Sequence, residues 1–484
     1  MAWLGTWAHR IEITIPDTNI DGNLTNFPVL IYLSTSSGTG AADVSAVFDE
    51  LTSDANRKKI AITTSNGTTE CYVEIEKWVD ADEEAWLWVK IPSILATGGA
   101  TLYLYYDSTE SDNTTYIGDT TDAVVHNVWD EYFVGVWHMA QDPDGDGSGA
   151  IKDSTSYGND GTPDGTMLTA DLVSGPIGDA IVFDGVDDWI DFGILTILWH
   201  ETTYTLEAFI NMGVFGASDS IVRAWGGGGQ QAFALILDAT DNGEFWMMNE
   251  DASPTPALKG VTTDCSITAA TPVYLAGAWA GGNTLALYEN GAAKTVSYPG
   301  GQSAPGEIPW VNEHLGIAGK YDGGTPADFF DGIIDEVRIS NVARTADWIK
   351  ATNYSNRDTL ASFGAEEDYT GSGYTIEMDG GTYALTGTAL EFIRNYQIGM
   401  GVGSYALTGT AISFKKVATM IMGSGSYLLT GSDVTLSIIA ILLTLNSIIE
   451  QETTLDSDFN QEKTLASLIE QETTMDSKLI KGQE

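Results

Sequence analysis

The chain has 484 residues, room for about three domains at roughly 150 residues each. Hydrophobic residues make up 43% and aromatic ones 10%, enough for real cores, and the Trp and Tyr fall in short alternating runs that favour β structure. A formal net charge of −47, from 68 acidic and 21 basic side chains, speaks against nucleic acid as a partner, because phosphate binding needs clustered Lys and Arg; such charge is best tolerated in a halophilic setting, where salt screens self-repulsion.

Residues 1–120 read as a first β domain. IEITI (11–15), FPVLIYL (27–33), KIAITT (59–64), CYVEIEKW (71–78), AWLWVKIP (85–92) and TLYLYY (101–106) are strand-like, with turns at Asp21-Gly22, Asn66-Gly67 and Gly98-Gly99. Trp86 and Trp88 share one face of their strand and Leu87 and Val89 the other, so both faces are apolar, as in a strand inside a sandwich. The spacing of Trp7, Arg10, Ile13 and Ile15, followed by NFPVL, WVKIP and YLYY, resembles an uncharacterised β-sandwich family whose members often precede laminin-G-like domains. That resemblance implies an attachment or spacer module with no known activity. Asp107 to Asp130 is polar and acidic, which predicts a solvated linker, placed at 121–133.

The next segment, 134–367, carries an ordered set of motifs: VGVWHM at 134–139, KDSTSYGNDGT at 152–162, FDGVDDWIDFG at 183–193, TLEAFI at 205–210, VYLAGAWAGGNTLALYENG at 273–291 and FFDGIIDEVRISNVARTADWIKA at 329–351. Together they resemble the laminin-G, concanavalin A-like jelly roll, a two-sheet sandwich used mostly to bind glycans or proteins. In the closing strand, alternation predicts Ile333, Asp335, Val337 and Ile339 on one side and Ile334, Glu336 and Arg338 on the other; Thr345 is placed to cap a short helix through Trp348 and Ile349. His138 is expected to be a core or turn residue.

Candidate chemistry in this segment is sparse. Asp142, Asp144 and Asp146 alternate along a glycine-containing loop with Asp153 downstream, a set of oxygens suited to calcium; an acidic surface turn is the alternative. Asp184-Gly185 is expected to make a turn, with Asp187, Asp188 and Asp191 near a sheet edge. Trp199, Trp225, Trp246, Trp279 and Tyr321 offer flat rings for an apolar sugar face, Trp225 beside a four-glycine run and Tyr321 in a loop being the favoured glycan contacts. Some sandwiches of this shape hydrolyse glycans with an E-x-D-x-x-E strand. None is visible: Glu74 and Glu76 lie in the other domain, and Asp335 and Glu336 are expected on opposite faces, so no enzyme activity and no catalytic residue is expected. The two cysteines, Cys71 and Cys265, are too far apart in sequence and too few for a disulfide framework.

From Tyr369 the composition changes. GGTYALTGTALEF (380–392), GVGSYALTGTAISF (401–414) and GSGSYLLTGSDVTL (423–436) repeat with a 22-residue period, visible in Tyr383, Tyr405 and Tyr427 and in Met378, Met400 and Met422. Each unit of 368–445 reads as a β-hairpin with Leu-Thr-Gly as a second bend, too small to bury its own apolar face. The repeats resemble those of tailed-virus virion proteins. A ten-residue period closes the chain at 446–484 (IIEQETTLDS, DFNQEKTLAS, LIEQETTMDS); it suits either strand or helix and points to self-association. The start of the sequence shows no secretory leader, and the longest apolar run, Ile438 to Leu445, is too short for a bilayer, so membrane insertion is not expected.

The expected class is all-β: two β-sandwich (jelly-roll) domains, a small repetitive β region and a short repeat tail. The expected function is a virion structural and adhesion protein, such as a head decoration, turret or tail-fibre subunit. It would present a lectin-like domain to host-surface glycans, with copies of itself (a trimer) and other virion proteins as partners. The alternative is a cell-surface adhesin or surface-layer component of an archaeon or bacterium; the third is a glycan-active enzyme.

Overall fold

The computed structural model describes residues 2–369 except 145–146, 148, 217, 226–230, 239–242, 248–257, 263, 300–306, 309–313 and 323–324, and, beyond 369, strand backbone between 375 and 451. Packing divides the chain into two units, 1–368 and 369–484. The first is built from two sandwiches. In the N-terminal one, a sheet of order Ser362–Asp368, His9–Ile15, Ala100–Tyr106 and Ile60–Thr64 faces a second of order Leu24–Leu33, Glu84–Ile94, Val73–Val79 and Ile117–Asp119. Period-two alternation explains the facing: Ile11, Ile13 and Ile15 meet Leu102, Leu104, Val29, Ile31 and Leu87 in one core. Removed from water, such residues contribute about 25 cal/mol per Å² of apolar surface.

The larger sandwich has two eight-stranded sheets. One contains Asp331–Ser340 near its middle, flanked by Tyr204–Met212 on one side and by Asp179–Asp184 and Phe133–Trp137 on the other. The other runs from Val296–Ser297 through Leu258–Thr262, Gly243–Met247, Gln231–Asp238, Ser218–Trp225, Leu315–Ile317 and Trp189–Asp191 to Thr162–Asp164. Trp137, Phe183, Tyr204, Leu235, Phe245, Trp279 and Ile317 fill the space between them.

The boundaries expected at 120 and 134 are not where the packing divides. Ile117–Asp119 pairs in parallel with Val73–Val79, and Ser362–Asp368 returns to pair with His9–Ile15, so the first sandwich is completed by strands from both flanks of the second. The helix Ala346–Asn356, capped as expected by the Thr345 hydroxyl accepting from the Trp348 N–H at 3.2 Å, packs Trp348 against Phe27 with ring centres 4.6 Å apart. The expected solvated linker is tied down, because its acids find cations. Asp119 binds Arg57 and Lys58, each at 2.7 Å, Asp122 binds Lys58 at 2.6 Å, and buried Asp130 grips Arg344 through two bonds of 2.7 and 2.8 Å.

The closing strand departs from its expected alternation. Glu336 has φ +51°, and the pairing with Tyr204–Met212 slips there, Glu207 opposing Arg338 and Phe209 opposing Asp335. This bulge sets two residues against one and switches the parity. Ile334, Val337 and Ile339 therefore enter the core, while Ile333, expected on the same side as Val337 and Ile339, does not join it. Asp335, Glu336 and Arg338 are all buried outside the apolar core.

In the second unit the repeats stack in parallel and in register. Tyr383 opposes Tyr405 and Tyr405 opposes Tyr427; Met378 opposes Met400 and Met400 opposes Met422. The short strands Thr375–Met378, Gln397–Met400, Thr419–Met422 and Ile441–Leu443 form one sheet, and the long strands Thr382–Ile393 and Ser404–Val417 lie in another. This differs from the expected hairpins. Leu385-Thr386-Gly387 lies inside a continuous strand, and each repeat pairs with the next one rather than with itself, as in a solenoid whose coil equals the sequence period. Of the decapeptide tail only Ile449–Gln451 is described, paired with Tyr427–Leu429; residues 452–484 lie outside the described residues. Among the described residues no helix is long and apolar enough to cross a membrane.

Because the second sandwich borrows its packing partner from the first, a fragment of residues 134–369 is expected to unfold non-cooperatively or aggregate, while 1–369 unfolds in a single transition. Calorimetry of both fragments checks this; equal, cooperative transitions would contradict it.

Candidate functional site

The acidic strand residues that seemed distant in sequence meet between the sandwiches. Glu74 and Glu76 reach out from Val73–Val79, His138 follows Phe133–Trp137, and the bulge turns Asp335 and Glu336 toward them. His138 Nδ1 lies 2.5 Å from Glu336 Oε1 and 3.6 Å from Glu76 Oε2, and its Nε2 lies 3.2 Å from Glu74 Oε1. Arg338 donates to Glu336 at 2.6 Å and lies over Trp88 and Trp129, 4.4 and 5.2 Å from the ring centres. The indole N–H groups of Trp88 and Trp129 donate to Glu76 and Glu74 at 2.7 and 2.8 Å.

Every one of these ionisable side chains is withdrawn from water, and burial sets their protonation. Burial alone would lower His138, but Glu336, Glu74 and Glu76 outweigh it and hold the imidazole well above its usual range. Burial pushes Glu76 up to about 8 and, with Glu336 beside it, pushes Asp335 well above the carboxylate range. Burial would raise Glu336 too, but His138 and Arg338 pull it down. The result is a carboxylate held between two cations, with the Glu76 and Asp335 carboxyls beside it biased toward their protonated forms. Paired carboxylates of this kind could do acid–base work, but the side chains of Glu74, Glu76, His138 and Glu336 are 0% exposed, leaving a substrate no approach.

A second candidate lies on the outer face of the second sheet of the larger sandwich, where Arg223 and Ala234 are buried and Tyr321 is partly open. With Val222, Ala224, Phe233 and Leu235 in the core, alternation assigns Arg223 and Ala234 to the opposite face. Register sets Arg223, Ala234, Trp246 and Lys259 in one row across four strands. Arg223 donates to Asp328 at 2.8 Å, and Lys320 reaches the same carboxylate at 3.0 Å. Tyr321 sits on the hairpin Lys320–Asp322 and Thr325–Ala327; its ring stacks on His314 at 4.6 Å and on Trp189 at 6.0 Å. His314 Nδ1 meets Asp191 at 2.8 Å. Tyr321 is thus a half-buried, held ring beside polar groups of both signs. His314, Arg223 and Asp328 were missed in sequence, and Asp191 was read only as lying near a sheet edge; the two-residue spacing of Trp189 and Asp191 was the one available signal.

The other expected site residues fall as follows. The four-carboxylate calcium set is not assembled among the described residues. Asp153 is buried, and its two oxygens accept from the Val136, Thr155 and Asn159 N–H groups and the Thr155 hydroxyl, which organises the loop and leaves nothing for an ion. Asp142 accepts from the Asp144 N–H and Asp144 from the Thr169 hydroxyl; Asp146 lies outside the described residues, as does the Trp225 side chain. Trp279 is core, its indole donating to the Gly282 carbonyl. Asp184 makes the expected turn, accepting from Val186, Asp187 and Asp188 N–H groups. Both cysteines are free, and burial pushes the Cys71 thiol up to about 12, so it is inert.

The buried cluster predicts a pH dependence of known sign. Glu76 rises from an ordinary 4.5 to about 8, so the folded state holds more protons than the unfolded one across that interval and stability falls as pH rises through it. His138 adds a term that is complete below 6.5 and lost as pH climbs through its raised value. Glu336 acts oppositely, its contribution being lost only on acidification below 4.5. The melting temperature should therefore be highest near mildly acidic pH and drop toward alkaline pH, and Glu76→Gln should flatten the part of that drop below pH 8; parallel profiles for both proteins would refute this. Arg338→Met, which strands Glu336, should cost about 3–5 kcal/mol by denaturant titration.

Several comparisons bear on identity. No curated protein matches the chain. Domain 4 of AbnA, a GH43 extracellular arabinanase from Geobacillus stearothermophilus solved with arabinotriose, is similar at 19% identity over 45% of this chain and 97% of that one, with a TM-score of 0.33. The binding domain of Paraclostridial Mosquitocidal Protein 1 gives 13%, 46% and 52%, with a TM-score of 0.35, so the chain spans about half of it. The CBM40 of Ruminococcus gnavus IT-sialidase, bound to alpha2,3 sialyllactose, gives 17%, 36% and 96%, with a TM-score of 0.31. Residues 56–132 match DUF2341, a domain of unknown function, within the first sandwich. Residues 184–350, the greater part of the larger sandwich, match the concanavalin A-like lectin/glucanases superfamily, so this segment has a lectin-like fold and follows the segment that matches the uncharacterised family.

Proposed function

We propose that this chain is a structural adhesion protein of a virus particle that binds surface glycans through its lectin-like sandwich. The observation that carries the reading is the lectin-superfamily match at 184–350, with an outer sheet face on which a held aromatic, Tyr321, sits beside the Arg223–Asp328–Lys320 and Asp191–His314 ion pairs. A flat ring takes the apolar face of a pyranose, and fixed charges of both signs take its hydroxyls. The in-register 22-residue coils support an assembly role for the second unit, since open ends of a parallel stack accept further strands. Binding is favoured over hydrolysis because the carboxylates that gather around His138 are sealed from solvent.

The test is a glycan array with the full chain, run with and without calcium to expose any part played by Asp142 and Asp144. Binding is expected, and Tyr321→Ala and Trp225→Ala should each weaken it; a stacking contact of roughly 0.5–1.5 kcal/mol corresponds to a loss of up to about tenfold. Absence of binding to any glycan would overturn the recognition half of the reading. Mass spectrometry of purified particles tests the other half, which fails if the chain is recovered only from cell surfaces.

A further inference from the structure

One end of the N-terminal core carries a set of donors that the glycan reading does not use. His9 opens the inward-facing row of His9–Ile15, ahead of Ile11, Ile13 and Ile15. Pairing sets Asp368 directly opposite His9 and Glu366 opposite Ile11, on the same face; Tyr106 opposes His9 from the other neighbouring strand and stacks on its ring at 5.4 Å. The imidazole is about nine-tenths buried, with a side-chain exposure of 9%.

His9 Nδ1 lies 2.7 Å from Glu366 Oε1 and 2.9 Å from Asp368 Oδ1, yet it makes a hydrogen bond to neither. At such distances a hydrogen bond fails only on direction, so the two oxygens flank the nitrogen's lone-pair axis instead of lying on it. Ligands of one cation show that relation: donor atoms about 2.1 Å from an ion and at right angles to each other are about 3 Å apart, each off the other's axis. On the far side of the ring, Glu50 Oε2 faces Nε2 at 3.7 Å, a carboxylate placed to orient the imidazole from behind.

We propose that His9, Glu366 and Asp368 bind a divalent transition-metal ion. An imidazole nitrogen with two carboxylates suits Zn²⁺ or Mn²⁺; Ca²⁺ and Mg²⁺ prefer oxygen throughout. Two carboxylates and one dication are also charge-balanced. The other acidic groupings differ. Glu336 and Glu76 already take Arg338 and the Trp88 indole, and Asp184 is occupied by three N–H groups of its own turn. The ion would fasten the strand Ser362–Asp368 to His9–Ile15, closing a loop of some 350 residues and stabilising the first unit.

The test uses the full chain stripped with chelator. It is titrated by calorimetry with Zn²⁺ and Mn²⁺ in high salt and excess Mg²⁺, which occupies diffuse acidic sites. One tight equivalent is expected, accompanied by a rise in melting temperature. Asp368→Asn, at a side chain 66% exposed and therefore neutral for packing, should weaken binding at least roughly tenfold and abolish the thermal shift, as should His9→Gln. Absence of a tight equivalent in the unmodified chain overturns the proposal. So does a tight equivalent that survives Asp368→Asn and disappears only in His138→Asn, which would place the ion between the sandwiches.

Discussion

The Glu336 carboxylate, held between His138 and Arg338, is the contact on which the first unit depends. It is made possible by one backbone irregularity, a left-handed glutamate inside a strand, an arrangement uncommon for a residue with a side chain. The bulge turns both Asp335 and Glu336 away from the apolar core and toward the first sandwich, where Glu74, Glu76, Trp88 and Trp129 complete their environment. Charges buried without partners would be ruinous; here Glu336 meets His138 and Arg338, and the Trp88 and Trp129 indoles donate to Glu76 and Glu74. The two sandwiches therefore share one polar joint in place of a flexible linker. Its role is to specify how they meet more than to add stability, since well-packed apolar residues could match it in energy.

This joint frees the opposite sheet of the larger sandwich. One sheet of the jelly roll is committed to the first sandwich through Asp331–Ser340, and the other carries the Tyr321 hairpin and the Arg223 row. On the proposed function, recognition and internal docking fall on separate sheets of one fold, and loops near Tyr321 can vary without disturbing the buried charges.

Much of this was legible from residue order. Strands, the Thr345 cap, the buried His138, the Asp184 turn and the lectin-like class all follow from local pattern and motif. What failed did so for physical reasons. Alternation through 333–339 assumes an unbroken pleat, and no residue type announces that Glu336 will take a positive φ. The polar run 107–130 reads as solvated because its cations, Arg57, Lys58 and Arg344, lie far away in sequence. Asp153 looks like an ion ligand because a carboxylate that satisfies three backbone N–H groups has the same spelling as one that binds calcium. Leu-Thr-Gly suggests a bend when each repeat is considered alone; the equal spacing of the repeats lets identical positions lie side by side, and the pairing then runs between coils.

The return of Ser362–Asp368 to the first strand has a consequence for biogenesis. His9–Ile15 leaves the ribosome with both of its neighbouring strands still unmade, and at 5–20 residues per second the later one, Ser362–Asp368, follows on the order of tens of seconds after it. Throughout that interval the nascent chain presents an open β-edge beside an unfinished apolar interior, the condition under which polypeptides of different ribosomes associate wrongly. The heavy negative charge spread along the sequence then acts as a safeguard in translation, keeping neighbouring unfinished chains apart until the last strand arrives.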